Sequence, residues 1–266
     1  MTLCPYHSTS LAGSIAERTE GGGQRVLVGV LQAYIDENGT HDNALLSCGC
    51  GYLFERRKAD EFGESWAPFL KSKDLPFFHA SDCFRDRKDA DEIFSRLSSL
   101  IVQTAQRGVV RFILRDALVA LKSNPRVQQS TGSGYSLCVL SCMERMAELA
   151  INSGNQIVYF IEDGNEFAGE LRCFLNQIKD NEGLKKQFAM AGADTYKKEH
   201  IIQLQTADLL AWEFGRAYLV PDPKDRRDSF KKLNGIPHHV SGFSDISASI
   251  QGVFNFFNGL KSNRKF

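Results

Sequence analysis

Two adjacent acids, Asp36 and Glu37, end a strongly apolar segment near the start of the sequence. Residues 26–35 before them are rich in β-branched side chains, which predicts a strand, and Asn38-Gly39 after them is typical of a tight hairpin turn. Adjacent carboxylates at the edge of a core repel each other and resist the loss of water. They therefore need a compensating positive group, which could be a divalent cation, a helix N-terminus or a basic side chain. Because strand residues alternate faces, we expect Asp36 to be a metal ligand and leave Glu37 open.

Acids also follow two later apolar segments. Residues 156–161 form a continuous apolar run, typical of a strand covered on both faces, and end in Glu162 and Asp163. Asp208 borders the apolar stripe of a predicted helix over 206–218. Binding sites in α/β sheets form beyond the carboxyl ends of strands, and Mg²⁺ and Mn²⁺ prefer oxygen ligands. These acids could form a metal site, but acids at strand ends are common, and Asp208 could equally be a first-turn acid stabilised by the helix dipole.

The segments around these acids alternate between strand and helix patterns. The predicted strands are 26–35, 44–54, 75–80, 109–114, 156–161 and 200–204, and the predicted helices are 55–71, 89–106, 135–151, 167–180 and 206–218. This order predicts an α/β fold with a mixed sheet, in which an opening antiparallel hairpin precedes parallel strands and helices cover both faces.

The composition is that of an ordinary globular protein. Of 266 residues, 42% are hydrophobic and 24% charged, and the 32 basic residues balance the 32 acidic ones, so no overall field favours nucleic acid or a membrane. We expect a flexible leader over 1–24, one α/β domain over 25–220, and a helical extension over 221–266 packed on the same domain. Scattered cysteines indicate reduced thiols, and without a signal peptide or a membrane span we expect a cytoplasmic protein.

Two motifs resemble the first and last motifs of domain-of-unknown-function family 3800, which is thought to have a ribonuclease H-like fold. The first is Tyr-Ile-Asp-Glu-Asn-Gly over 34–39, where Asn38 replaces the usual serine. The second is Gln-Leu-Gln-Thr-Ala-Asp-Leu-Leu-Ala over 203–211, in which Gln203 or Gln205 takes the place of the family's glutamine. Residues 161–163 are similar to an intermediate strand that ends in aspartate.

The resemblance implies a metal-dependent nuclease site. Its expected metal ligands are Asp36, Asp163 and Asp208, with Glu37 as a further catalytic acid and Mg²⁺ or Mn²⁺ as the cofactor. It also implies a histidine after the third strand, a position that His79 occupies. His79 could contact a phosphate or shuttle protons, or could simply be hydrogen-bonded at the end of a strand.

Other chemistry-bearing positions are weaker candidates. Asp116 follows a predicted strand, and Glu144 lies on a helix from which an acid could reach the site. The segment Thr131–Gly134 precedes a helix and could either cradle a phosphate or cap that helix.

The leading hypothesis is a nuclease that hydrolyses phosphodiester bonds of RNA or DNA with a carboxylate-bound divalent metal. The alternative is a catalytically inactive ribonuclease H-like module that engages nucleic acid or a protein partner through the basic cluster of 224–232 or the aromatic segment of 250–260. A third possibility is an enzyme that acts on a phosphorylated small molecule bound at 131–134.

Overall fold

A computed structural model describes residues 15–19, 25–39, 44–123, 134–163 and 168–243. In these ranges the strands are β1 Ile15–Thr19, β2 Arg25–Asn38, β3 Leu46–Glu55, β4 Arg107–Leu114, β5 Asn155–Glu162, β6 Met190–Tyr196 and β7 His238–Phe243. The helices are α1 Arg56–Ser72, α2 Ala80–Asp86, α3 Ala90–Thr104, α4 Arg115–Lys122, α5 Gly134–Asn152, α6 Ala168–Lys179, α7 Glu182–Gln187, α8 Leu204–Tyr218 and α9 Asp228–Leu233, with a 3-10 turn at Pro223–Asp225.

The described strands form one mixed sheet in the order β6-β5-β2-β3-β4-β7, with β1 paired to β2. β3 runs antiparallel to both of its neighbours, β2 and β4. The other pairs on this path are parallel: β5 with β2, β6 with β5, and β7 with β4. The α/β architecture predicted from the sequence, a mixed sheet in which an opening antiparallel hairpin precedes parallel strands, is confirmed. Gly39 directly follows β2 and has a φ angle of 78°, which glycine adopts without strain.

Helices cover both faces of this sheet and create two hydrophobic cores. On the first face, Ala33 and Ile35 of β2 pack beneath α5 and α6. On the second face, Tyr34 of β2 and Phe160 of β5 stack with ring centroids 5.0 Å apart, beneath α1, α3 and α8. Because strand side chains alternate, the residue two positions after Tyr34 also faces the second core.

Several predicted elements differ from the structure. Residues 75–80 are not a strand, and the chain there leads directly into α2. The predicted strand at 200–204 is a turn that enters α8, while the sixth strand, β6, lies earlier, at Met190–Tyr196. β1 falls within the expected leader, and β7 is a strand within the expected helical extension, where it pairs with β4.

Two segments singled out in the sequence analysis are not among the described residues. The loop at 131–133 and the aromatic segment at 250–260 lie outside the described residues. In the described part of the chain, no helix is both long and apolar enough to cross a membrane.

Candidate active site

Asp36 and Glu162 lie side by side at the carboxyl ends of two neighbouring parallel strands. The register pairs Tyr34 with Phe160 and Ile35 with Ile161, so the next position on each strand carries an acid. Both acids lie on the second face of the sheet, two positions after Tyr34 and Phe160, and their exposed fractions are only 2% and 5%. Strand pairing therefore brings two carboxylates together at the edge of a core.

Asp208 joins these two acids from α8, which lies across the same face of the sheet. Its side chain is buried, and its Oδ2 accepts a hydrogen bond of 2.7 Å from the backbone N–H of Ala80, the first residue of α2. The Oδ1 of Asp36 similarly accepts the backbone N–H of Glu37 at 2.8 Å. Each aspartate thus has one oxygen fixed by the main chain, and its second oxygen points to a third group.

That third group is the ammonium of Lys198, which follows β6. Its Nζ lies 2.9 Å from Asp36 Oδ2 and 3.2 Å from Asp208 Oδ1, and only 11% of its side chain is exposed. Burial alone would lower the pKa of Lys198, but the charges of Asp36, Asp208 and Glu162 outweigh it and raise that pKa above its ordinary value. Lys198 is therefore a buried, charged group at the centre of the acids.

One ammonium does not balance three carboxylates. Burial, and next the charge of Asp36, raise the pKa of Glu162 to about 8, although Lys198 opposes this shift. Burial also raises the pKa of Asp208, again against the effect of Lys198. The Oε2 of Glu162 is buried and has no hydrogen-bond partner in the described part of the chain. A further cation at this point would relieve both the charge and the unsatisfied oxygen.

Gln205 holds together the segments that surround the acids. Its Oε1 accepts hydrogen bonds from Trp66 Nε1 at 2.8 Å and from the backbone N–H of Phe78 at 3.1 Å. Its Nε2 donates to the carbonyl oxygen of Lys198 at 3.2 Å. One buried amide thus fixes α1, the segment before α2 and the turn that carries Lys198.

His79 lies at the mouth of the site, immediately before α2. Its Nδ1 is 2.8 Å from Asp82 Oδ2, and this hydrogen bond is the main reason why the pKa of Asp82 is lowered. The ring borders a cavity of about 220 Å³. The lining of that cavity includes Asp36, Glu37, His79, Glu162, Lys198 and Asp208.

The other predicted acids lie elsewhere. Asp163 turns away from the cavity and forms an ion pair of 2.7 Å with Arg172, so the structure puts Glu162 in the position expected for Asp163. The physical reason is the alternation of β5, which sends residues 160 and 162 to one face and residue 163 to the other. Asp116 is exposed at the start of α4, and Glu144 lies on α5, on the opposite face of the sheet.

The residue types at this site suit a divalent cation even though an ammonium stands among them. Carboxylate oxygens are preferred by Mg²⁺ and Mn²⁺, and the unpartnered Oε2 of Glu162 is such an oxygen. In the residues that the structure describes, however, no group of three or more His, Cys, Asp or Glu side chains is already spaced to hold a metal. Metal binding would require the side chains at this site to rearrange, because the ammonium of Lys198 already occupies two of the carboxylate oxygens.

No known family model and no curated protein matches this chain, so the resemblance to family 3800 stays a prediction. Among solved structures, a chain of the PCNA:RNase HII complex from Archaeoglobus fulgidus is similar, with a TM-score of 0.40 and 10% sequence identity. The similarity covers 71% of this chain and 73% of that chain. A similarity of this extent says nothing about activity, which has to be argued from the side chains of this protein.

Proposed function

We propose that this protein is a metal-dependent phosphodiesterase that acts on nucleic acid. The observation that carries the proposal is the meeting of Asp36, Glu162 and Asp208, three buried carboxylates from two strands and a helix, around a single ammonium group. Burying an excess of negative charge is unfavourable unless a cation compensates it. An excess of buried carboxylates is common at sites that bind a cation, whereas it would only destabilise a structural core.

The three carboxylates would hold the cation, with Glu37 at the margin of the cavity. A bound Mg²⁺ or Mn²⁺ would supply positive charge for phosphate oxygens and would make an attacking water more acidic. Asp36 and Asp208 are already oriented for such a role, because the backbone N–H groups of Glu37 and Ala80 fix one oxygen of each. Asp163 is replaced in this proposal by Glu162.

His79 is suited to transfer a proton to a leaving oxygen. Asp82 engages its Nδ1, so Nε2 is the ring nitrogen that can exchange a proton with a substrate. The catalytic residues proposed are thus Asp36, Glu37, Glu162, Asp208 and His79.

The charged lining of the cavity disfavours a small apolar ligand. Its volume of about 220 Å³ is below the roughly 300–1,000 Å³ of common small-molecule pockets, and charged side chains dominate its lining. With a divalent cation bound among the acids, this space would admit a phosphodiester group, while the rest of a strand remained outside. RNA or DNA is therefore the proposed substrate class.

Asp36→Asn tests the proposal directly. Cleavage of labelled RNA and DNA oligonucleotides, single- and double-stranded, is measured with Mn²⁺, with Mg²⁺ and with a chelator. We expect metal-dependent cleavage in the unmodified protein and a loss of about 100-fold or more in Asp36→Asn, with an unchanged circular dichroism spectrum. Asp116→Asn is the matched control, because Asp116 is an exposed acid away from the cavity. Undiminished cleavage by Asp36→Asn would refute the mechanism.

A further inference from the structure

Every oxygen of Asp36 and Asp208 already has a hydrogen-bond partner. The backbone N–H groups of Glu37 and Ala80 take one oxygen of each aspartate, and the ammonium of Lys198 takes the other two. The two oxygens that face Lys198 converge on one point, which is where a bridging cation would lie. Lys198 therefore stands in the position that the proposed metal would need.

An ammonium and a divalent ion do not fit at this point together. The Lys198 nitrogen lies 2.9 and 3.2 Å from the two oxygens, whereas Mg²⁺ binds oxygen at about 2.0–2.1 Å. The two positive charges would also lie within a few ångströms of each other where the lysine side chain is only 11% exposed, so solvent would screen their repulsion weakly. A metal that uses both oxygens must therefore displace the ammonium.

We propose that Lys198 is an internal counter-cation, which holds the carboxylates together in the metal-free protein and which a divalent ion displaces on binding. This inference rests on the proposed function, because it assumes that a metal binds among Asp36, Glu162 and Asp208. It goes further in assigning a competing role to a residue of the chain. The affinity for metal then depends on how much more favourably the carboxylate oxygens bind the divalent ion than the ammonium of Lys198.

The surroundings of Lys198 allow its ammonium to leave while its main chain stays in place. The carbonyl oxygen of Lys198 accepts a hydrogen bond of 3.2 Å from Gln205. The side chain, by contrast, is a flexible four-carbon stem that borders the open cavity. A displaced ammonium would remain in the cavity, where it can meet a phosphate group.

Lys198→Met tests the competition, because it removes the charge and keeps a side chain of comparable length. We expect Lys198→Met to bind Mn²⁺ about tenfold more tightly or better, as measured by the paramagnetic resonance signal of free Mn²⁺. Lys197→Met is the matched control. Lys197 is the exposed neighbour of Lys198, so its replacement changes the net charge equally without touching the acids, and its Mn²⁺ affinity should not change.

A second measurement uses the unmodified protein, in case Lys198→Met does not fold without metal. The rate at which acetic anhydride acetylates each lysine is followed by mass spectrometry, with and without saturating Mg²⁺. We expect Mg²⁺ to raise the rate at Lys198 severalfold, because the amine leaves its two carboxylates, and to leave the rate at Lys197 unchanged. An acetylation rate at Lys198 that does not respond to Mg²⁺ would overturn the inference.

The two proposals fail in different ways. If neither the unmodified protein nor Lys198→Met binds Mn²⁺, the metal site itself is refuted and the displacement with it. If both bind Mn²⁺ with equal affinity, the metal site stands and the displacement of Lys198 is refuted. Tighter binding by Lys198→Met, together with metal-dependent acetylation of Lys198, would support both.

Discussion

Gln205 fixes the main chain at Lys198, since its Nε2 donates a hydrogen bond of 3.2 Å to the Lys198 carbonyl oxygen. The Oε1 of the same side chain accepts from Trp66 and from the backbone of Phe78. Gln205 is only 2% exposed, so water does not compete for these bonds. The positions of the counter-cation and of the segment that carries His79 therefore depend on one amide.

Gln205→Ala should lower the free energy of unfolding by about 2–4 kcal/mol, because three buried polar groups would lose their partner. Urea denaturation measures this loss. Gln203→Ala is the matched control: the Gln203 side chain donates one hydrogen bond of 2.9 Å, to the carbonyl oxygen of Ala59, and its removal should cost about 1 kcal/mol. Equal losses in the two variants would contradict the role of Gln205 as a three-way connection.

A glycine of β3 allows α5 to approach the sheet closely. A Cβ atom added at Gly49 would lie 2.8 Å from the backbone carbon and oxygen of Cys138 and 2.9 Å from the nitrogen of Val139. Gly49→Ala should therefore destabilise the protein by about 1–3 kcal/mol, because the helix backbone has to shift. Thermal unfolding measures the effect.

Gly169 is the control for this glycine. It lies in α6, and an added Cβ would meet nothing within 4 Å. Gly169→Ala should stabilise the protein by about 0.5–1 kcal/mol, since alanine restricts the unfolded chain and favours the helix. The expectation for Gly49 would be wrong if both alanine variants raised the unfolding temperature.

The long apolar patterns of the sequence were sufficient to predict most of the sheet and its helices. Strands β2 and β5 are continuous apolar runs, and α3 and α8 have clear one-sided stripes, so local pattern and tertiary packing agree there. β6 was missed because its sequence, Met-Ala-Gly-Ala-Asp-Thr-Tyr, contains few β-branched residues. Pairing with β5, and not its own propensity, makes it a strand.

At the site, the choice between Glu162 and Asp163 depended on the strand register. An apolar run that is buried on both faces does not show which residues face which core. The register pairs Ala33-Tyr34-Ile35 with 159–161, and with this alignment Asp36 corresponds to Glu162. In both segments an aromatic residue precedes the acid by two positions. This shared spacing is the sequence signal that points to Glu162 and not to Asp163.

Lys198 carried no such signal in the sequence. It is one of 32 basic residues and stands beside another lysine in a polar turn after a strand that was not predicted. Its role comes only from long-range folding, which brings the end of β6 beside β2 and α8. A buried counter-cation of this kind is recognised from distances and exposure, which one sequence does not contain.

His238 should make the stability depend on pH below neutrality. Its Nδ1 lies 3.0 Å from the carbonyl oxygen of Ile236, and its Nε2 lies 3.2 Å from the hydroxyl of Tyr52. Burial lowers the pKa of His238 below its ordinary 6.5, against the effect of the Ile236 carbonyl. The folded protein thus favours the neutral ring, and the unfolded chain binds the proton more readily.

The stabilisation from neutral His238 is therefore complete above pH 6.5 and is lost as the pH falls through the lowered pKa of the folded state. Between pH 8 and pH 5 the unfolding temperature of the unmodified protein should fall relative to that of His238→Gln, a comparison in which the opposite contribution of Glu162, whose pKa is raised, is the same in both proteins. His200→Gln is the control, because His200 is exposed in a turn, and it should leave the pH profile unchanged. Profiles of equal slope in the His238 variant and the unmodified protein would show that another group is responsible.

Adjacent acids at the end of β5 give a direct test of the site. Glu162→Gln should weaken Mn²⁺ binding and metal-dependent cleavage by about tenfold or more, because Glu162 lines the cavity beside Asp36. Asp163→Asn should leave both within about twofold and lower the free energy of unfolding by at most about 1 kcal/mol, since Asp163 loses only a partly exposed ion pair with Arg172. Isothermal titration with Mn²⁺ and oligonucleotide cleavage measure the two effects. The reverse pattern, with the larger loss in Asp163→Asn, would restore the ligand set that the resemblance to family 3800 implies and remove Glu162 from it.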